Sequence, residues 1–167
     1  MKPSRALLAL LGVLLALAIA LGAAQALDSG SALLGRVWWG ALCALALLAL
    51  ADALWLRRTP SPTVRRQLSG NLPLGRWSEV RLHFQHRYAQ PQRITVFDHL
   101  PAGMAFEYLP QTVELHPGEQ TELGYRVRPL SRGHFVFPRC EIELSSPLRL
   151  WKGRRYLEQR DETRVYP

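Results

Sequence analysis

Two long apolar runs occupy the first 56 residues, and they constrain the fold more than any other feature. Ala6 to Ala26 is 21 residues without a charge. At the helical rise this is about 31 Å, close to the roughly 30 Å of a bilayer's hydrocarbon core. A second run extends from Val37 to Leu56, broken only by Asp52. Trp38, Trp39 and Trp55 lie near its two ends, where amphipathic rings favour the membrane interface. Asp28, Ser29, Gly30 and Ser31 read as the turn between the runs. The expectation is a transmembrane helical hairpin over residues 1–58, with spans at about 6–26 and 37–56.

Charge is distributed to match. Residues 1–56 hold five charged side chains, Lys2, Arg5, Asp28, Arg36 and Asp52, and residues 57–167 hold the other 29. The net charge is +8. Lys2, Arg5, Arg57, Arg58, Arg65 and Arg66 flank the spans on one side, against Arg36 alone in the connection. The positive-inside rule then places both termini in the cytoplasm. Residues 59–66 read as a basic linker, because Pro60 and Pro62 end the helix. Arg57, Arg58, Arg65 and Arg66 are expected against anionic lipid headgroups. Ala24-Gln25-Ala26 also resembles a leader-peptide cleavage site. The apolar stretch is long for a leader and a second span follows, so retention is the expectation. Asp52 is expected at headgroup depth, neutralised by Arg57 or Arg58. Ala16, Ala20 and Ala24 offer a small-residue helix seam.

From residue 67 to 167 the hydrophobic period is two. Val80, Leu82 and Phe84 alternate with polar residues, as do Thr121, Leu123, Tyr125 and Val127, and Cys140, Ile142 and Leu144. Shorter candidate strands are Ile94–Phe97, Thr112–Leu115, His134–Phe137, Leu148–Trp151 and Tyr156–Glu158. Pro138 marks a bulge or an edge strand. Turn signals separate the segments, among them Pro101-Ala102-Gly103, His116-Pro117-Gly118 and Ser145-Ser146-Pro147. Seven or eight short strands in about 100 residues predict an all-β immunoglobulin-like sandwich. A domain of this size excludes a doubly wound dehydrogenase, a barrel enzyme or a kinase.

The sequence carries few groupings of reactive side chains. His83, His86, His99, His116 and His134 are scattered, and the two Cys, Cys43 and Cys140, cannot build a four-thiolate zinc site. No phosphate-binding glycine loop and no nucleophile elbow occurs. Asp98 and Glu107 are not made to converge by their spacing, and Asp98 reads as a strand-end turn residue. Cys140 reads as a small buried hydrophobe. Lys152, Arg154 and Arg155 around Gly153 read as a basic hairpin tip. No catalytic, cofactor or metal residue is assigned, and nucleic acid is not expected as a partner, because much of the basic charge is topogenic.

Several motifs follow in order: Asp98-His99-Leu100-Pro101; Tyr125-Arg126-Val127-Arg128-Pro129; Arg132-Gly133-His134-Phe135; Ser145-Ser146-Pro147-Leu148-Arg149-Leu150-Trp151; and Arg164-Val165-Tyr166-Pro167. With the two spans and the Arg-rich linker, this resembles the N-terminal part of the bacterial domain of unknown function 58 family, whose genes often neighbour MoxR-type AAA+ ATPases. The residues carrying the resemblance are Asp98, Pro101, Tyr125, Pro129, Arg132, Gly133, Ser146, Pro147, Leu150 and Trp151. The family commonly has Gly where this chain has Arg149, and its members continue beyond the Val-Tyr-Pro stretch, often into a von Willebrand A-like region. The resemblance therefore implies a truncated member or a fragment of one: an inner-membrane protein with a cytoplasmic sandwich in a MoxR-associated assembly or chaperone system. The topology, the strand pattern and the lack of a catalytic constellation make the expected role a non-enzymatic interaction module. Its implied partners are the lipid bilayer, a MoxR-type ATPase and von Willebrand A-like proteins. The alternative is an envelope-facing binding domain on the same anchor.

Overall fold

The computed structural model describes residues 1–27 and 32–167. The expected turn at Asp28–Ser31 lies outside the described residues. The architecture is two N-terminal apolar helices followed by an all-β sandwich. The chain divides into two compact units: Met1–Thr59 with Ser145–Gly153, and Pro60–Leu144 with Arg154–Pro167.

The first unit begins with strand β1 (Lys2–Pro3) and helices α1 (Arg5–Ala26) and α2 (Ala32–Arg58). Both helices are long and apolar enough to cross a membrane. Ser4 caps α1 in extended conformation, its Oγ accepting the Leu7 N–H at 3.2 Å. Arg57 and Arg58 occupy the last turn of α2, where cations meet the negative end of the helix dipole. Pro60 follows one residue after the helix turn closed by the Thr59 N–H on Trp55 O.

A covered stripe runs the length of α2: Gly35, Trp38, Leu42, Leu45, Ala49, Asp52 and Leu56, at three- and four-residue steps. On α1 the covered positions include Leu7, Leu14, Ala18, Leu21 and Ala24. The small-residue seam expected at Ala16, Ala20 and Ala24 is thus wrong at its first two positions, which are exposed. Instead the Trp38 indole N–H donates to Leu14 O at 2.9 Å. The remaining helix surface leaves large apolar side chains uncovered, such as Ile19 and Leu47.

The second unit contains β2 (Thr63–Gln67), β3 (Asn71–Pro73), β4 (Ser78–Gln85), β5 (Gln92–Asp98), β6 (Met104–Glu107), β7 (Gln111–Leu115), β8 (Thr121–Pro129) and most of β9 (Gly133–Ser145) and β10 (Trp151–Tyr166). One sheet has the order β2-β4-β8-β6. The other runs β10-β9-β5-β7, with β3 parallel to the end of β10. Strand β1 pairs with the first two residues of β10, which belong to the first unit.

The core follows from the alternation. Val80, Leu82 and Phe84, Ile94 and Val96, Leu123, Tyr125 and Val127, and Ile142 and Leu144 are all buried. Register is strict because a one-residue slip would expose each of these sets. Strand β9 unites the segments expected separately at His134–Phe137 and Cys140–Leu144. Phe135 and Phe137 are buried on odd numbers, Cys140, Ile142 and Leu144 on even ones, with Pro138 and Arg139 exposed between them. That change of phase is the bulge expected at Pro138.

Three boundaries differ from expectation. The linker is shorter than 59–66, because β2 begins at Thr63 and pairs with β4. Leu148–Leu150 is a turn, and β10 starts only at Trp151. Residues 145–153 belong with the helices and not with the sandwich.

Candidate functional site

Two buried polar clusters stand out, one in each unit. The first centres on Asp52, a residue of α2 that is almost fully buried. Its carboxylate accepts the Ser146 hydroxyl, the Leu148 N–H at 2.9 Å and the Leu150 N–H at 3.3 Å. The segment is further tied by Trp151 N–H to Ser146 Oγ at 3.0 Å and by the Trp151 indole N–H to Ala49 O at 2.8 Å. Ser4 N–H donates to Leu150 O at 2.8 Å. Leu7, Ala49 and Leu150 pack together, with Leu45 and Trp151 against them.

The arrangement has a simple cause. A turn compact enough to reverse between Ser146 and Trp151 leaves backbone amides without partners, and buried amides need acceptors. A buried carboxylate in turn needs donors. Asp52 and the turn complete one another. This corrects the expectation that Arg57 or Arg58 neutralises Asp52, since neither pairs with it. Arg149 sits at φ +58, the left-handed region that glycine enters freely, within a turn closed by its N–H on Ser146 O at 2.9 Å.

The second cluster centres on Arg66 and Asp98, both buried. Arg66 Nε donates to Asp98 Oδ2 at 2.8 Å and Nη2 to Asp98 Oδ1, a two-pronged pairing. Arg66 Nη1 donates to Gln159 O at 2.7 Å and to Asp161 Oδ2 at 2.8 Å. The Tyr125 hydroxyl donates to Asp98 Oδ2. The guanidinium also lies 5.3 Å from the Phe137 ring centre. The expected membrane-surface role is therefore corrected for Arg66, which is spent inside the sandwich. Asp98 is likewise a core ion-pair partner and not a turn residue. Arg65, opposite His83 on β4, is exposed.

Protonation in this cluster is fixed near neutral pH. Burial alone pulls the Arg66 guanidinium down, but hydrogen bonding and charge from Asp98 outweigh it and the net shift is upward. Burial, then the Asp98 charge, raises Tyr125 well above the usual phenol range. Burial and the same charge push the Cys140 thiol up to about 12. The cluster thus holds a cation, a neutral phenol and a neutral thiol, none poised for proton transfer or attack at pH 7.

The other sequence-flagged residues find separate partners. Among the histidines, His83 Nε2 faces Gln67 Oε1 at 3.0 Å, His99 faces Glu141 at 2.8 Å and His134 faces Glu162 at 3.0 Å. His86 stacks on Tyr88, and His116 is exposed. Glu107 pairs with Arg126, away from the Asp98 network. Lys152, Arg154 and Arg155 lie in β10 and do not form a hairpin tip. Arg154 pairs with Glu141 at 2.6 Å and Arg155 donates to Ser61 at 3.0 Å.

Of the residues carrying the family resemblance, Ser146, Leu150 and Trp151 meet at Asp52, and Asp98 and Tyr125 meet at Arg66. Pro129 O accepts Gly75 N–H at 3.0 Å, and Gly133 has φ +141. Pro101 follows β5, while Arg132 and Pro147 are exposed. Sequence reasoning missed Asp52 and Arg66 as members of these clusters. The signal available was the charge itself, in an apolar helix and beside an alternating strand.

No family model matches the chain, and no curated protein matches it. Solved structures do. An alpha-2-macroglobulin fragment from Escherichia coli, spanning domain MG7 to the C-terminus, superposes with a TM-score of 0.50 at 18% identity over 65% of this chain. An alpha-2-macroglobulin from Salmonella gives 0.48 at 19% identity, also over 65% of this chain. A FixG-related protein from Vibrio parahaemolyticus gives 0.38 at 15% identity over 62% of this chain and 94% of its own. The match spans only 17% of the Escherichia coli fragment and 7% of the Salmonella chain. The likeness to the Escherichia coli fragment establishes the immunoglobulin-like sandwich and nothing about activity.

Proposed function

We propose that this chain is a non-enzymatic interaction module held at the bacterial inner membrane by α1 and α2, with both termini and the sandwich in the cytoplasm. The observation that carries the reading is the Asp52 cluster. Ser4, before α1, and Asp52, within α2, both hold the Ser146–Trp151 segment. This supports α1 as a permanent part of the folded protein and argues against a disposable leader. The helix lengths and uncovered apolar surface suit lipid. The flanking Lys2, Arg5, Arg57 and Arg58, together with Arg65, favour the cytoplasmic side. The charged core of the sandwich is self-satisfied, which suits a rigid scaffold presenting edges and loops. On the resemblance stated above, the partner class is a MoxR-type AAA+ ATPase with von Willebrand A-like proteins.

Two measurements test this. Paired reporters fused after Pro167, one active only in the cytoplasm and one only in the periplasm, report orientation. The proposal expects the cytoplasmic reporter to be active, and periplasmic activity would favour an envelope-facing domain. Co-expression with a MoxR-type ATPase, followed by purification of the membrane-extracted complex, tests the partner. Absence of co-purification under ATP, ADP and nucleotide-free conditions would remove that partner.

A further inference from the structure

The solvent face of the β2-β4-β8-β6 sheet carries an asymmetry next to its β6 edge. Strand β8 presents Arg126 and Arg128, and both guanidiniums lie against Trp77, 5.4 and 5.0 Å from a ring centre. Arg126 stands directly opposite Glu107 of β6 and pairs with it at 3.5 Å. Arg128 stands directly opposite Ala105, whose methyl offers no acceptor. The Arg128 Nε is buried and has no hydrogen-bond partner. The indole face attracts the cation but supplies no oxygen to that N–H. Among the described residues no carboxylate pairs with Arg128.

Strand β6 has β8 on one side and, among the described residues, no strand on the other. An open edge of this kind is a template for a further strand. Phe106, between Ala105 and Glu107, is 43% exposed although its ring meets Phe97 edge-on at 5.9 Å. The edge therefore offers backbone hydrogen bonds, a partly exposed cation without a carboxylate partner one strand in, and an uncovered aromatic ring at the intervening position.

We propose that the β6 edge receives an extended segment of a partner protein in which acidic and apolar side chains alternate. The acidic side chain reaches across Ala105 to Arg128, and the apolar one covers Phe106. The period of two in the segment matches the period of two on the edge. Arg128 is partly exposed, and the Ala105 opposite it has only a methyl group in the way. The proposal rests on the reading of the protein as an interaction module and specifies the chemistry of what it binds.

The test uses the full chain in lipid nanodiscs and a synthetic peptide of about ten residues alternating Glu and Val, a length that spans one edge strand. A Lys/Val peptide and inorganic phosphate serve as controls. The Glu/Val peptide should bind and the Lys/Val peptide should not. Affinity should fall at least tenfold in Arg128→Gln, and equally in Ala105→Glu, which supplies the missing carboxylate within the chain. Ala105→Glu keeps the fold, shown by an unchanged or raised melting temperature, so loss of binding cannot be read as unfolding. Arg93→Gln, at an exposed position of β5 in the other sheet, should leave affinity unchanged. Hydrogen exchange at the β6 amides should slow on binding. Unchanged affinity in Arg128→Gln and Ala105→Glu, absence of binding, or phosphate competing fully without protection of β6 would each overturn the proposal. Those results leave the interaction-module reading to its own orientation and co-purification tests. Conversely, a periplasmic orientation would sink that reading without altering peptide binding.

Discussion

The carboxylate of Asp52 accepts the hydroxyl hydrogen of Ser146, 94 positions further along the chain. The same carboxylate takes the Leu148 and Leu150 amides, so one acidic side chain in an apolar helix satisfies three donors of one turn. Asp52→Asn keeps the shape but replaces one acceptor oxygen by a donor. It should destabilise the full chain by about 1–3 kcal/mol, the cost of leaving buried donors unsatisfied. Ser146→Ala should cost about 1 kcal/mol, and the pair should couple in a double-mutant cycle. Thermal melts in detergent, followed by near-ultraviolet circular dichroism, measure this. Wild-type melting of Asp52→Asn would show that the contact contributes nothing.

The Arg66–Asp98 pair predicts a different pattern. Both groups are withdrawn from water, so removing one strands the other. Asp98→Asn or Arg66→Met alone should destabilise by about 3–5 kcal/mol. Joint replacement by Met and Leu should recover a large part of that loss, because no uncompensated charge remains. Tyr125→Phe should cost less, about 1–2 kcal/mol, since Asp98 keeps its two guanidinium contacts. Denaturant midpoints with unchanged slopes would report these differences as stability.

Alkaline titration should expose Cys140 and Tyr88. The Cys140 thiol is pushed from 9.0 to about 12, by burial first and the Asp98 charge second. Tyr88, whose hydroxyl donates to Pro60 O at 2.6 Å, rises from 10.0 to about 12, chiefly by burial. Both groups keep their protons to higher pH in the folded chain than in the unfolded one. Their contribution is therefore complete below the unfolded values and is lost as pH rises toward 12. The buried Cys140 steepens the decline by about 1.4 kcal/mol per pH unit inside its own window, and the partly solvated Tyr88 by less. Cys140→Ala should flatten the decline that begins near pH 9, measured by denaturant titration at several pH values.

Arg149→Gly should stabilise the protein. Arg149 holds φ +58, which costs a side-chain-bearing residue about 1 kcal/mol that glycine does not incur. The greater freedom of glycine in the unfolded chain offsets part of this, leaving a gain of about 0.5 kcal/mol. Arg149→Val should instead lower the melting temperature, since a branched side chain tolerates that backbone region poorly.

Legibility of the fold in the sequence depended on how many core residues each segment carries. Strands β4 and β8 were plain, because Val80, Leu82, Phe84, Leu123, Tyr125 and Val127 alternate cleanly. Strand β10 was mostly hidden. Its inward side includes Arg155, which donates to Ser61, Asp161, which accepts from Arg66, and Gln159, whose side-chain amide donates to Asp161, so no hydrophobic period marks it. Strand β2 was hidden for the same reason, its buried side chain being Arg66 itself. The two polar clusters could not be read from spacing, since Asp52 and Ser146, or Arg66 and Asp98, become neighbours only through tertiary folding. The motif residues Ser146, Leu150 and Trp151 were singled out without their partner, which lay in a helix read mainly for its affinity to lipid.

The most direct test of the account is the state of the protein in membranes. Membranes from cells expressing the chain are washed with alkaline carbonate, and the retained protein is analysed by intact mass and N-terminal peptide mapping. The account predicts that the protein stays in the membrane fraction and still carries residues 1–26, because Ser4 and α1 are part of the folded unit that includes Asp52 and Trp151. Recovery in the soluble fraction, with the first residue at Leu27, would contradict it.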